Sequence, residues 1–231
     1  MCGWIIPPAR EPTKRAADFE QERNVKVQEL VQSGYLRSER IKRALLQIPR
    51  EDFIPRPYRD YAYQEVPLPL PGEHATISCP HSYPLFYEPL GLDEGHKFLE
   101  IGTGSGYGAA VAREVVGAQG LVVSVEIDPL TYQFATRNLE KAGYSDVLLV
   151  KGDGGLGYPQ ESPYDRIAIT AACHQVPSPL IEQLKVGGKL ITPHYAGDTQ
   201  MLVMLEKDPQ RTTRHELVRV LYVPLRGTYG S

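Results

Sequence analysis

Residues 98–112 read FLEIGTGSGYGAAVA, an apolar run that meets glycines at alternate positions and continues into an Ala/Val-rich segment. A short apolar run bounded by glycines is a buried strand, the glycines permit a tight turn, and the following segment favours a helix. A buried parallel strand needs neighbours joined by crossovers, so this unit constrains the rest of the chain. The neighbours follow. LVVSVEI (121–127) leads to Asp128-Pro129, an N-cap and N1 pair, and a helix to Ala142 closed by Gly143. VLLVK, the turn Gly152-Asp153-Gly154, RIAIT, a short helix opened by Ser178-Pro179 and GGKLITP complete five strands. QMLVMLE and LVRVLYV, separated by a polar stretch, read as a terminal antiparallel pair. The predicted fold is α/β, Rossmann-like, a mostly parallel seven-stranded sheet with right-handed crossovers and a closing hairpin.

Upstream the pattern changes. Residues 1–15 are rich in proline and charge and are expected to be poorly ordered. A helix is predicted from Ala16 to Ser33, stopped by Gly34. A second is predicted where Ile41, Ala44, Leu45 and Ile48 recur at helical spacing between Ser38 and Pro49. Residues 52–90 hold many prolines and tyrosines with no sustained period. Tyr58, Tyr61 and Tyr63 are read as packing that segment on the core, a recognition surface being the alternative. The division expected is an N-terminal helical and Pro/Tyr-rich extension, 1–95, packed on a cofactor-binding domain, 96–231, as one compact unit.

With 42% apolar residues the 231-residue chain can bury a full core. A net charge of −3 gives no reason to expect a nucleic-acid or other polyanionic partner. Cys2, Cys79 and Cys173 are odd in number and far apart, which suggests neither a disulfide framework nor a metal site. No run has the length of a membrane span or the form of a signal peptide, so a cytoplasmic protein is expected.

The glycine turn poses the functional question. Gly102, Gly104 and Gly106 form G-x-G-x-G; starting one step later, Gly104, Gly106 and Ala109 satisfy the dinucleotide variant G-x-G-x-x-A. Charge separates the readings. Glu100 stands two residues before the first glycine, and beside a pyrophosphate it would be repelled by about 1 kcal/mol in water at ~4 Å, several-fold more when buried. Beside a cation it would be favourable. S-adenosyl-L-methionine carries a sulfonium and an ammonium and no phosphate. Glu126, at the end of the second strand, can accept both ribose hydroxyls, and Asp153, after the third, can accept from an adenine amino group.

ATISCPH (75–81), LEIGTGSG (99–106), VKGDGGLGY (150–158), VPSPLIEQLKVGGKLI (176–191) and YVPLRG (222–227), with the lead-in SERIKRALLQIPREDFIP (38–55), together resemble the protein-L-isoaspartate O-methyltransferase family. The resemblance extends from about residue 25 to the C-terminus. It implies methyl transfer from S-adenosyl-L-methionine, leaving S-adenosyl-L-homocysteine, to the free α-carboxylate of L-isoaspartyl and some D-aspartyl residues in damaged proteins. The ester then closes to a succinimide whose hydrolysis restores some normal aspartate. By the same resemblance Ser78 is the active-site serine. Thr76, Ile77, Glu100, Gly102, Gly104, Ser105, Gly106, Glu126, Ile127, Asp153 and Gly154 are cofactor contacts. Ala75, Cys79, Tyr83 and Leu225 face the substrate, and the stretch from Arg226 is a tail that closes over the site. A monomer without a metal is implied. Two departures bear on peptide preference: Tyr83 stands where the family often has histidine, and PLPLPGEH (67–74) is unusually proline-rich.

Taken alone, several of these residues have plainer readings: Ser78 as a turn residue, Cys79 and Cys173 as packing, His174 as a loop histidine near the rim. Two other functions stay open at this level. One is a related methyltransferase acting on RNA or a small metabolite, for which the tyrosines would be the stacking surface. The other is a non-catalytic module that binds isoaspartyl segments or partner proteins.

Overall fold

The computed structural model describes residues 6–230; Cys2 lies outside them. Two helices open the fold, α1 (Ala16–Gln32) and α2 (Glu39–Gln47). The Ser38 hydroxyl caps α2 by accepting from the Ile41 amide at 3.3 Å. Val27 and Leu30 of α1 are buried, as are Ile41, Ala44 and Leu45 of α2, while Val31 is exposed. Residues 6–15, expected to be loose, are tied down. Asp60, itself buried, accepts from the Thr13 amide and hydroxyl and the Lys14 amide, and the Arg10 amide donates to the Pro57 carbonyl. A buried carboxylate must be satisfied, and the chain end supplies the donors.

The segment 52–90 is not structureless. It runs through 3-10 turns at Arg50–Phe53 and Arg56–Tyr61, an antiparallel ribbon of β1 (Leu68–Pro69) with β2 (Thr76–Ile77), and α3 (Ser82–Leu90). Helix α3 escapes a periodicity reading because Pro84 and Pro89 interrupt it. Pro84 sits in the first turn, where an amide hydrogen has no helical partner, so it costs little. Phe86, Tyr87 and Leu90 bury its inner face. Tyr61 and Tyr63 are buried and Tyr58 packs half-buried against the same core, which removes the stacking surface an RNA reader would need.

The remaining elements are β3 (Lys97–Ile101), α4 (Tyr107–Val116), β4 (Leu121–Glu126), α5 (Pro129–Ala142), β5 (Leu148–Lys151), β6 (Tyr164–Ile169), α6 (Ser178–Glu182), β7 (Leu184–Ala196), β8 (Thr199–Lys207) and β9 (Thr212–Val220). One seven-stranded sheet has the order β5-β4-β3-β6-β7-β8-β9. It is parallel from β5 to β7 and antiparallel from β7 to β9. The chain turns outward to β4 and β5, then returns to lay β6 on the other flank of β3. The carboxyl ends of β3 and β6 are therefore a topological switch point, where open α/β sheets bind ligands.

The last strand differs in extent from the predicted LVRVLYV. It ends at Val220, and the chain then leaves the sheet edge to bridge the end of β6. The Ala172 amide donates to the Val223 carbonyl at 2.8 Å, and the Leu225 amide to the Ala172 carbonyl at 2.7 Å. That departure carries Tyr222-Val223-Pro224-Leu225 back to the switch point. No helix among the described residues is long and apolar enough to cross a membrane.

Candidate active site

A cleft of about 570 Å³ opens at the carboxyl ends of β3, β4 and β6. Its floor is the glycine turn. Gly102 has φ +92°, and a Cβ there would stand 2.6 Å from the Thr170 hydroxyl, which donates to the Ile101 and Gly102 carbonyls. Gly106 has φ +86° and packs α4 against Leu139 of α5. It does not line the cleft and serves helix packing. Gly104 does line it, and its amide donates to Glu126 Oε2 at 2.9 Å. The Asn138 side chain donates to the Ser105 carbonyl, pinning the turn to α5.

Two carboxylates lie beneath this turn. Glu100 is 2% exposed; the Ser124 hydroxyl donates to its Oε2 at 2.6 Å when the carboxyl is ionised, and the Thr103 and Ser124 hydroxyls are hydrogen-bonded at 2.7 Å. No basic side chain among the described residues pairs with it, and burial pushes its carboxyl up to about 8. Glu126, at the end of β4, is fixed by the Gly104 and Asp128 amides, one on each oxygen. Burial raises it despite those donors. Buried acids without a cationic partner suit a positively charged ligand, and Glu126 keeps lone pairs free for hydroxyls. Glycines take up the space around them: a Cβ at Gly108 would stand 2.4 Å from Glu100 Oε1, and one at Gly154 would meet Ile101 at 2.3 Å. The residues present therefore fit S-adenosyl-L-methionine.

Ala75, Thr76, Ile77, Ser78 and Cys79 form one wall. Arg50 holds it from behind. This arginine is 1% exposed; its Nε donates to the Ala62 carbonyl at 2.7 Å and its Nη2 to the Ser78 carbonyl at 2.5 Å. The guanidinium lies over the rings of Tyr83 and Tyr107, whose edge-to-face contact closes the cluster. Sequence reading placed Tyr83 at the site but gave no role to Arg50 or Tyr107. Cys79 is half-buried, and burial first, then the Glu65 charge, raises its thiol, the opposite of an activated nucleophile.

The opposite wall is Val223, Pro224 and Leu225, with Ile127 beside Glu126. At the mouth, the proline-rich ribbon docks on the start of α5. Asp128 caps that helix by accepting from the Leu130 and Thr131 amides and also accepts from the Glu73 amide; the Thr131 hydroxyl donates to the Pro71 carbonyl. Gly72 is required there, because its Cβ would stand 2.4 Å from both Asp128 Oδ1 and the Thr131 hydroxyl. Arg226 reaches across to Asp128 at 3.6 Å and Glu73 at 3.8 Å. The sequence marked Asp128 as an N-cap and gave no sign of this second duty.

Asp153 is turned away from the cleft lining toward the chain end. Its oxygens accept the Gly155 amide at 2.9 Å and the Thr228 amide at 2.7 Å, and Tyr229 packs on Gly155. Burial opposes its charge, but these donors prevail and its carboxyl lies below the usual value. Gly154 does line the cleft. His174 stacks on Tyr195 outside it, with ring centroids 4.3 Å apart, and Cys173 is buried beneath.

This fold and its acid-floored cleft define a Rossmann-like S-adenosyl-L-methionine-dependent methyltransferase. Residues 21–230 match the family described as protein-L-isoaspartate(D-aspartate) O-methyltransferase (PCMT). The chain is 44% identical to a protein-L-isoaspartate O-methyltransferase of Hyperthermus butylicus, over 92% of this chain and 91% of that one. It superposes on a solved protein-L-isoaspartate O-methyltransferase with a TM-score of 0.83 and 36% identity, covering 90% of this chain and 67% of that one. A Plasmodium falciparum structure in complex with S-adenosyl-L-homocysteine has the same fold at 21% identity, with a TM-score of 0.80 over 88% of this chain and 98% of that one. The chain belongs to the protein-L-isoaspartate(D-aspartate) O-methyltransferase family.

Proposed function

We propose that this enzyme methylates the free α-carboxylate of L-isoaspartyl residues, and of some D-aspartyl residues, in damaged proteins. The observation that carries the reading is the junction of the acid floor with the Ala75–Cys79 wall, which leaves Ser78 on the cleft beside the glycine turn. S-adenosyl-L-methionine supplies, when bound, an electrophilic methyl group and a neutral thioether leaving group. Glu100, Glu126, Ile127, Gly102, Gly104, Ser105 and Gly154 would hold it, with Thr76 and Ile77 above. Asp153 would act through the 153–155 turn and the tail it anchors.

The acceptor carboxylate has a pKa of about 3.5 and is ionised at neutral pH, so the chain need supply no general base. Its task is orientation. The Ser78 hydroxyl and neighbouring amides would steer one carboxylate oxygen toward the methyl group, an effect of proximity. Arg50 keeps Ser78 in place by gripping its carbonyl. Ala75, Cys79, Tyr83 and Leu225 would shape the path of an extended peptide segment across the cleft. Residues 1–95 would then be an extension packed on the 96–231 cofactor-binding domain, the two forming one compact unit. The free cysteines Cys79 and Cys173 accord with a cytoplasmic, reducing setting, and the reading needs only a monomer.

Paired Asp and isoAsp peptides with labelled S-adenosyl-L-methionine test this. Base-labile methanol release from the isoAsp peptide alone is the expected result; transfer to RNA, or binding without transfer, would replace the reading. Ser78→Ala should lower kcat by about tenfold or more, the scale of one lost oriented hydrogen bond, with little change in cofactor affinity. Equal loss of both would remove Ser78 from its role.

A further inference from the structure

At the rim of the cleft the fold assembles three metal-ligating side chains that are scattered in sequence. The Ser82 amide donates to the Cys79 carbonyl at 3.0 Å, making a turn of Cys79-Pro80-His81. Glu65, from the loop before β1, meets this turn. Its Oε2 lies 2.6 Å from His81 Nδ1, and ligand atoms of Glu65, Cys79 and His81 all lie within 4.8 Å of one another. Cys79 and His81 both line the cleft mouth, and the Tyr35 ring packs on the His81 ring, 5.4 Å between centroids. Lys26 pairs with the other Glu65 oxygen at 3.3 Å and leaves Oε2 to the histidine.

We propose that Glu65, Cys79 and His81 form a three-ligand site for a zinc-type divalent transition metal at the entrance to the substrate cleft. The donor chemistry selects the ion. Sulfur, imidazole nitrogen and carboxylate oxygen are the set zinc uses, whereas magnesium and calcium take oxygen ligands alone. Metal–ligand bonds of about 2.0–2.3 Å in a tetrahedron separate ligand atoms by about 3.3–3.8 Å. The outermost pair needs to close by no more than about 1 Å and the His81–Glu65 pair to open by somewhat less than that, a change on the scale of side-chain rotation. On binding, the ion takes the place of the hydrogen bond between His81 and Glu65: the imidazole ligates through the lone pair of one ring nitrogen and keeps its N–H on the other. The thiol proton leaves to solvent. Three protein ligands leave a fourth position for water on the side of the cleft. Cys79 follows Ser78 directly, so a loaded site narrows the approach of a peptide and raises its KM. That consequence rests on the function proposed above; metal binding itself does not.

The test is a titration of chelator-treated, full-length protein with Co²⁺. The expected result is the visible d–d spectrum of tetrahedral cobalt with a near-ultraviolet thiolate charge-transfer band, saturating at one equivalent and displaced by Zn²⁺. Cys79→Ser should abolish the charge-transfer band. Glu65→Gln and His81→Ala should each weaken binding by at least about tenfold, and Cys173→Ser should leave the titration unchanged. Thermal melting of each variant establishes that it is folded, and Glu65→Gln, at a partly exposed carboxylate, reads the site if Cys79→Ser fails to fold. A weak octahedral spectrum, or a charge-transfer band that survives Cys79→Ser, overturns the proposal. Metal binding without methyl transfer to isoAsp peptides would sustain this site while removing the function proposed above.

Discussion

Replacing Glu100 by glutamine should make the ligand-free protein more stable and its cofactor binding weaker. The carboxyl is 2% exposed and burial lifts it from 4.5 to about 8. At about 1.4 kcal/mol per unit, ionising it inside the fold costs on the order of 5 kcal/mol relative to the unfolded chain. The folded-state value is the raised one, so the contribution to stability is complete below pH 4.5, falls as pH rises, and is gone above about 8. Glutamine does not titrate. The stability difference between variant and wild type should therefore shift in favour of the variant by about 3–4 kcal/mol between pH 5 and pH 8. Any fixed offset from the new amide's hydrogen bonds is the same at both. A cationic ligand reverses the balance, because a carboxylate about 4 Å away is worth ~4 kcal/mol near a protein surface. The variant should then bind S-adenosyl-L-methionine up to about a thousandfold more weakly, and wild-type affinity should strengthen as pH rises from 6 to 8. Urea denaturation across that range, with calorimetry for the ligand, measures both effects. Parallel stability profiles for the two proteins would refute the buried-acid argument, and unchanged binding would remove Glu100 from the cofactor site.

Gly108→Ala should be destabilising and should impair cofactor binding, although alanine in a helix ordinarily gains about 1 kcal/mol, because the new Cβ would stand 2.4 Å from Glu100 Oε1; a melt and a binding titration read this. Arg50→Met leaves the Ala62 and Ser78 carbonyls without their donor. It should cost about 3 kcal/mol and lower kcat more than it raises the cofactor Kd, with Arg50→Lys restoring part of both; denaturation and peptide kinetics distinguish this from a packing role alone. Arg226→Ala breaks two long ion pairs across the cleft mouth from a 40% exposed side chain. Its stability should change by less than about 1 kcal/mol, while S-adenosyl-L-homocysteine should dissociate several-fold faster in stopped-flow measurements.

What the linear sequence determined was the sheet. Hydrophobic runs at β3, β4, β5 and β6, each followed by a turn or helix signal, fix strand identity locally, and Glu100, Glu126 and Gly102–Gly106 are legible because each stands at a strand's end. The terminal hairpin was legible too, though not the point where the chain peels away at Val220. That point depends on the pairing of Val223 and Leu225 with Ala172, which lies just past β6 and is remote from them in sequence. Helix α3 was hidden because its prolines obscure the period, and only its burial against the core defines it. Arg50 carried no signal in the sequence, because a buried cation is tolerated only where carbonyls and aromatic rings from three other segments converge. Asp128 announced a helix cap and concealed its grip on the proline-rich ribbon. Cys79 and His81 stand two apart in the sequence, and only the fold brings Glu65 against them. Local patterning specifies elements because backbone geometry and burial act over a few residues. Sites made by long-range contact are decided only when the packed chain chooses which side chains must share a desolvated space.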